Sequence, residues 1–309
     1  MKAWSLTAGL WLAGTGAALA QDLAQDAGEL VIGKPWPWQM GLQEAFSPIE
    51  EQIHWFNDYS LLFVVPITAF VAGLLAWCVW RYRASKNPVA SRTAHNTTIE
   101  VIWTLAPVVI LLMLAIPSFQ LLTAQYNPPS EPELTVKATG YQWYWGYEYQ
   151  PTEVAPGDDG TVAEPVSFES YPVAEEDIAD IKGDIEIYPR LLAVDNEVVV
   201  PVNTVVRLIS TSADVIHAFA VPSLGVKVDA VPGRINEYWF SASREGIFYG
   251  QCSELCGSAH WNMPIAVRAV SQEQYDAWYL AAQEDVAGAN EQLNASIEAA
   301  QNGRAVAAN

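Results

Sequence analysis

Hydrophobic positions fall along this chain in two regimes. Residues 59–80 and 101–122 are each 22 residues long, largely apolar and free of charged side chains. That is the length an α-helix needs to cross a hydrocarbon layer of roughly 30 Å. A core helix of a soluble protein keeps a polar stripe, and neither run has one. Pro66, Pro107 and Pro117 predict kinks, which a membrane helix tolerates. Ser47-Pro48-Ile49-Glu50 supplies an N-cap serine, a proline at the first helical position and a glutamate at the third, so the first helix is predicted over about 47–82. His54 and Asp58 would then lie near the outer interface. Thr97-Thr98-Ile99-Glu100 offers a second capping box, with Thr97 as the cap, and predicts a helix over about 97–124.

After Pro128-Pro129 the period shortens. Segments 134–139, 190–194, 197–202, 205–210, 215–221, 235–240, 247–250 and 264–270 read as short strands between turn residues. Such a series predicts an all-β sandwich or Greek-key barrel. Ser271-Gln272-Glu273-Gln274 opens a closing helix to about residue 285. Residues 151–186, rich in acids, proline and glycine, read as a surface insertion. Residues 287–309 are small, polar and weakly patterned, and are expected to be a mobile or processed C-terminal tail. The organisation is thus a segment 21–125 carrying two spans, followed by an outer domain over 126–286.

Charge orients this arrangement. Arg81, Arg83, Lys86 and Arg92 lie between the spans, with no acid before Glu100. By the positive-inside rule that linker is cytoplasmic and both flanks are outside. Residues 1–20 agree: Lys2, an apolar stretch and Ala18-Leu19-Ala20 form the pattern of a cleaved secretory signal peptide. From Gln125 onward 27 acidic residues face 9 basic ones, which is nearly all of the chain's net charge of −20. Nucleic acid is disfavoured as a partner; a basic protein or a cation is favoured.

Candidate chemistry is concentrated in residues 250–263. Cys252, Cys256, His260 and Met263 follow one another at spacings of four, four and three, in a chain with only three Cys, four His and four Met. Sulfur with imidazole is the donor set that selects copper, with zinc as the competitor. An extracytoplasmic disulfide would leave His260 and Met263 unexplained. Tetrahedral zinc on His217, Cys252, Cys256 and His260 would leave Met263 unused. One copper would be over-supplied, whereas two coppers sharing both thiolates would use every donor. Cys78, alone inside the first span, reads as a packing residue.

Two further features stand outside this loop. Tyr141-Gln142-Trp143-Tyr144-Trp145-Gly146-Tyr147-Glu148-Tyr149 would place five rings on one face of a regular strand, as core packing or an interface belt. Glu100 reads as a helix-capping acid, or as an acid collecting protons at the cytoplasmic lip of a span.

The segment from Cys252 to Met263, with His217 upstream, closely resembles subunit II of the haem–copper cytochrome c oxidases, in a proteobacterial aa3 version. The resemblance extends over the two-span hairpin, the aromatic run and the outer domain. It implies a two-helix transmembrane hairpin plus an all-β cupredoxin-like Greek-key barrel, in the bacterial inner membrane with the copper domain in the periplasm. It also implies a dinuclear copper-A centre in which Cys252 and Cys256 bridge, His217 and His260 each bind one copper, and Met263 and the Glu254 carbonyl are weak ligands. The Glu254 carboxylate would face a magnesium or manganese ion shared with subunit I, which carries haem a, haem a3 and Cu-B. Trp143 would be the ring through which cytochrome c delivers its electron, so a bend or bulge is expected there. Gln142, Glu148, Asp195 and Asp214 would steer docking, with a further acid near Gly157-Asp158, and Glu100 would mark a proton-pathway entrance. Subunit III is an expected partner. The implied activity is electron input to dioxygen reduction coupled to proton pumping.

Other classes differ in identifiable features. A quinol-oxidase subunit would lack the copper ligands, and the soluble nitrous oxide reductase would lack the spans. A membrane-anchored copper chaperone or a zinc module would lack a mixed-valence pair.

Overall fold

The computed structural model describes residues 31–89, 91–150 and 165–307. The expected signal peptide and the acid near Gly157-Asp158 lie outside these residues. Two long helices come first, α1 (Pro48–Arg81) and α2 (Thr97–Tyr126). Ser47 caps α1, its hydroxyl accepting the Glu50 amide at 3.0 Å. The cap of α2 is one residue earlier than the sequence suggested. Asn96, not Thr97, accepts the Ile99 amide at 3.2 Å, and Glu100 Oε1 takes the Asn96 amide at 3.1 Å. An amide side chain caps as well as a hydroxyl, so a Thr-Thr pair after an Asn leaves the register open. The helices run as a hairpin, with the Tyr59 hydroxyl donating to the Met113 carbonyl at 3.2 Å. No residue of α2 is buried, and Leu62, Phe70, Leu111 and Phe119 all present apolar surface. Such a surface requires lipid or a partner helix around it.

Among the described residues the outer domain forms two larger sheets and one two-stranded sheet. Strands β1 (Val31–Gly33), β10 (Gly246–Gln251), β11 (Pro264–Val270) and β5 (Val198–Pro201) form one, in that order. The other runs β4 (Ser167–Ser170), β3 (Tyr144–Gln150), β2 (Leu134–Tyr141), β6 (Val206–Ser212) and β9 (Asn236–Phe240). A separate hairpin pairs β7 (His217–Val221) with β8 (Val226–Ala230). Val136, Ala138 and Leu208 from one sheet share a core with Phe248, Ile265 and Val267 from the other, closed by Phe219 and Leu224. The all-β expectation holds. Residues 190–194 are a turn rather than a strand, with a single bridge between Pro172 and Val194, and Leu192, Ala193 and Val194 pack on Ile247 and Tyr249. Strand β1, three residues long and parallel to β10, is too short for an apolar pattern to mark it.

Two other expectations change. Part of the supposed surface insertion is structural: β4 extends the second sheet, and Ile178, in the short helix α3 (Ile178–Ile181), is buried with Tyr188 and Tyr249. The supposed mobile tail is helical. Helix α4 (Gln272–Ala282), opened by the expected Ser271–Gln274 capping box, is followed by α5 (Val286–Ala307). Ala289 and Leu293 of α5 enter the main core, and Asn290 accepts the Trp278 indole N–H at 2.8 Å. A stripe with one leucine is weakly periodic by sequence, yet enough to cover Trp278.

The domain is fixed to the helix ends by specific contacts. The Phe46 amide donates to the Ser223 carbonyl, the Ser47 hydroxyl to the Leu224 carbonyl, and the Trp239 indole to the Ala124 carbonyl. Ile49, Val205 and Trp239 pack beneath this joint.

Candidate metal centre

Three loops converge at one end of the barrel. The β10–β11 connection carries Cys252, Cys256, His260 and Met263; β7 begins at His217; and the β2–β3 turn presents Gln142 and Trp143. The first is folded back on itself, the Cys252 amide donating to the Met263 carbonyl and the Ser253 amide to the Ala218 carbonyl. These bonds bring Met263, eleven residues away, and the start of β7 into the same cluster as the two thiols.

The donor atoms cluster tightly. Cys252 Sγ lies 3.8 Å from Cys256 Sγ, 3.8 Å from His217 Nδ1 and 3.3 Å from the Glu254 carbonyl, to which the thiol donates. Cys256 Sγ lies 3.6 Å from His260 Nδ1 and 3.9 Å from Met263 Sδ. His217, Cys252 and Cys256 form a group with all ligand atoms within 4.8 Å. Both cysteines are free thiols, so the disulfide reading does not describe this geometry. A sulfur separation of 3.8 Å is less than two metal–thiolate bonds of roughly 2.3 Å each, so one ion can touch both thiolates. Each thiol has its own imidazole, and Met263 and the Glu254 carbonyl complete the set. The donors therefore fit a soft-metal pair sharing two sulfurs, with no donor left over.

Titration reinforces the fit. Burial raises both thiols; at Cys252 hydrogen bonds from His217 and from nearby backbone outweigh it, whereas at Cys256 the neighbouring Cys252 charge adds to it. The pair thus releases its first proton easily and resists losing the second. A bound cation favours the doubly deprotonated form, so metal uptake is coupled to proton release.

His217 is fully buried and rigidly held. Its Nε2 faces Asp214 Oδ1 at 2.8 Å, which leaves Nδ1 toward the sulfurs. Its ring lies against Gly140, where any Cβ would meet His217 Cδ2 at 2.8 Å. Burial would push the Asp214 carboxyl up, but the His217 contact and the Val215 and Gln142 amides outweigh it and hold the group below its usual range.

The aromatic run divides at the expected bend. Gln142-Trp143 is the hairpin turn, joined by a cis peptide, and Tyr141 pairs with Tyr144 across it. Beyond it Trp145, Tyr147 and Tyr149 point into the core, whereas Trp143 is half-buried. The Trp143 indole N–H and the Gln142 side-chain amide both donate to the Cys256 carbonyl, at 3.3 and 2.7 Å. Gly257 permits this contact. Its φ is +128°, and a Cβ there would come within 2.9 Å of Gln142 Nε2 and 3.0 Å of Trp143 Cζ2.

The remaining candidates are more scattered. Glu148 is cross-strand from Lys137 and paired with it at 3.4 Å. Asp195 accepts the Tyr171 and Asn196 amides through one oxygen, and burial raises its carboxyl. Glu254 is exposed and forms no ion pair among the described residues. Glu100 is at the far end of α2, in its cap. Tyr171, from the presumed insertion, was not foreseen: it stacks on Tyr144, which stacks on Tyr141.

Known proteins resemble this chain over both of its parts. The model of the cytochrome c oxidase subunit II periplasmic domain matches residues 134–270, and that of the subunit II transmembrane domain matches residues 35–121. A protein named probable cytochrome c oxidase subunit 2 from Rickettsia bellii is 46% identical over 245 residues, covering 79% of this chain and 84% of its own. Cytochrome c oxidase subunit 2 of Cereibacter sphaeroides is 43% identical over 282 residues, with 86% of each chain covered. The crystal structure of the periplasmic domain of subunit II of cytochrome oxidase of Bradyrhizobium japonicum is 47% identical, covering 51% of this chain and 98% of that one, with a TM-score of 0.41. Both parts of the chain, the uncovered apolar hairpin and the domain that gathers two thiols and an imidazole, are therefore accounted for together: the chain belongs to the cytochrome c oxidase subunit II family, part of the haem–copper oxidase complex, and carries a copper-A-like site outside the membrane.

Proposed function

We propose that this chain receives electrons from cytochrome c and passes them to haem a of subunit I. The observation that carries the reading is the convergence of two free thiols 3.8 Å apart with an imidazole beside each. Bound there, a copper pair supplies a one-electron acceptor and donor. Cys252 and Cys256 would bridge it, His217 and His260 would hold one copper each, and Met263 and the Glu254 carbonyl would bind weakly. The chain's own work is to hold these donors rigid. His217 is locked by Asp214 and the Gly140 backbone, and Cys252 by the Met263 carbonyl. A rigid donor set limits the reorganisation that each change of charge requires.

Trp143 is the reading's point of electron input. It is half-exposed, and its indole bonds to the carbonyl of a bridging cysteine, so one hydrogen bond separates the surface from the metal donor set. Gln142, Glu148, Asp195 and Asp214 would border the docking surface for a basic cytochrome, with the acidic surplus of the domain supplying longer-range attraction. The exposed Glu254 carboxylate suits a hard magnesium or manganese ion at the contact with subunit I. Glu100, at the cytoplasmic end of α2, would admit protons to subunit I, with subunit III completing the complex in the bacterial inner membrane.

Stopped-flow reduction of the assembled oxidase by cytochrome c tests the reading. Trp143→Phe keeps an aromatic ring but removes the indole hydrogen bond, and should slow electron input while the copper content stays at two per chain. Wild-type input rates in both Trp143→Phe and Trp143→Ala would place the input elsewhere.

A further inference from the structure

The far end of the helix hairpin carries side chains that neither the metal centre nor the outer domain uses. The apolar run of α1 ends at Trp80, and the chain then turns over residues 81–87. Asn87 closes the turn: its side-chain amide donates to the Arg81 carbonyl at 2.6 Å, and its backbone amide to the Arg83 carbonyl at 3.1 Å. Arg81, Arg83 and Lys86 are thereby gathered on one short turn, and all three are exposed. The nearest acids along the chain are Asp58, at the other end of the span, and Glu100, inside α2. Lys86 is folded back toward the span. Its ammonium lies 4.6 Å from the Trp80 ring centroid, and Trp80 meets Trp77 at 5.4 Å between centroids. Both rings are about half exposed.

We propose that Arg81, Arg83 and Lys86, with the Trp77–Trp80 pair beside them, hold the phosphate of an anionic phospholipid on the side of the membrane away from the outer domain. Depth selects the ligand. The cations begin one residue after the apolar run ends, which is where a bilayer places its headgroups. Indole rings favour the same layer, with their apolar bodies against lipid and their polar edges toward water. An ammonium held over an indole face stays at the level of the ring and does not extend into solution. Free phosphate has no acyl chains for the two rings to meet, so rings and cations together fit a lipid. Net charge then selects among lipids. A zwitterionic headgroup brings its own ammonium, which three cations repel; an anionic one brings only the phosphate. Each basic side chain near an anionic surface changes binding about fivefold. Three on one closed turn, with no acid in the linker to compete, make a local site and not only a bias in orientation.

The experiment titrates the assembled oxidase in detergent with phosphatidylglycerol and, separately, with phosphatidylethanolamine, and counts the retained lipid by native mass spectrometry. Arg83→Gln and Lys86→Gln should each lower phosphatidylglycerol retention about fivefold, and the double variant about 25-fold, with phosphatidylethanolamine unchanged. Trp80→Leu keeps an apolar side chain but removes the ring beneath Lys86, and should weaken retention as well. Lys227→Gln, at an exposed cation of the outer domain, should match wild type. Salt should weaken phosphatidylglycerol binding more steeply in the wild type than in the double variant, whereas excess inorganic phosphate should leave the lipid in place. Should the double variant fail to insert, the single variants and the salt series decide. Equal retention of both lipids, unmoved by every substitution, would reduce the contact to non-specific boundary lipid and overturn the proposal. Displacement by inorganic phosphate would overturn the lipid assignment, and loss of subunit I in place of lipid would assign the turn to a protein contact and overturn it too.

Discussion

Substituting Gly140 by alanine probes the metal centre from behind, without replacing any donor residue. The added Cβ would lie 2.8 Å from His217 Cδ2, 2.9 Å from Cγ and 3.1 Å from Cβ. Carbon atoms pack at roughly 3.5–4.0 Å, so the ring or the strand must retreat by about 0.7 Å. The ring has nowhere to go. It is fully buried, it is held by Asp214 at 2.8 Å, and Trp145 stands edge-on at 6.0 Å between ring centroids. Overpacking of this kind costs about 1–3 kcal/mol. If the domain absorbs the strain, its Tm should fall by several degrees; if the imidazole yields, the copper spectrum should change instead. Thermal unfolding and the copper spectrum, followed on the same sample, capture both outcomes. Gly41→Ala, where a Cβ meets nothing within 4 Å, is the matched control. A Gly140→Ala protein with wild-type Tm and spectrum would refute the placement of His217 against this backbone.

Three further predictions test other parts of the molecule. Glu197→Gln leaves Arg268, which is 2% exposed, without its carboxylate partner at 2.7 Å, and should cost about 3–5 kcal/mol in urea unfolding. Burial would raise the Glu197 carboxyl, but Arg268 and Lys182 outweigh it and hold it below 4.5, so its contribution is complete above that pH and is lost as pH falls through the lower folded-state value; Glu197→Gln should lack that component of acid destabilisation. Leu293→Ala, in the helix that replaces the expected mobile tail, should cost about 2–5 kcal/mol in the same assay, against no change for a disordered segment. Glu100→Gln keeps an oxygen for the Asn96 amide, so turnover should fall with the copper spectrum unchanged if the carboxyl carries protons; normal turnover would leave only the cap.

How much of this was legible depended on how local the governing physics is. The two spans were readable because uninterrupted apolarity has few outlets other than a membrane. Strand β11 was read at its observed limits, because 264–270 is apolar apart from Arg268 and buried on both faces. The copper loop was readable because its donors lie within twelve residues. His217 was reachable only through scarcity of histidine and family resemblance, since its approach to Cys252 is a tertiary event. The bond between Asp214 and the His217 ring was not read from sequence, because an acid three residues before a histidine gives no sign that both its oxygens are engaged. That spacing was the available signal: a carboxylate near a ligand histidine commonly takes its second N–H. Strand β1 and helix α5 were missed for a related reason. Three residues beside β10, and one leucine over Trp278, are defined by what they cover and not by their own pattern.

The central claim is that two metals share Cys252 and Cys256. Electron paramagnetic resonance of the purified oxidase, with copper counted on the same sample, tests it most directly. The account predicts two coppers per outer domain and a hyperfine pattern in which one unpaired electron is spread equally over two copper nuclei, lost in Cys252→Ser and Cys256→Ser alike. A pattern from a single copper nucleus, or a silent site filled with zinc, would contradict it.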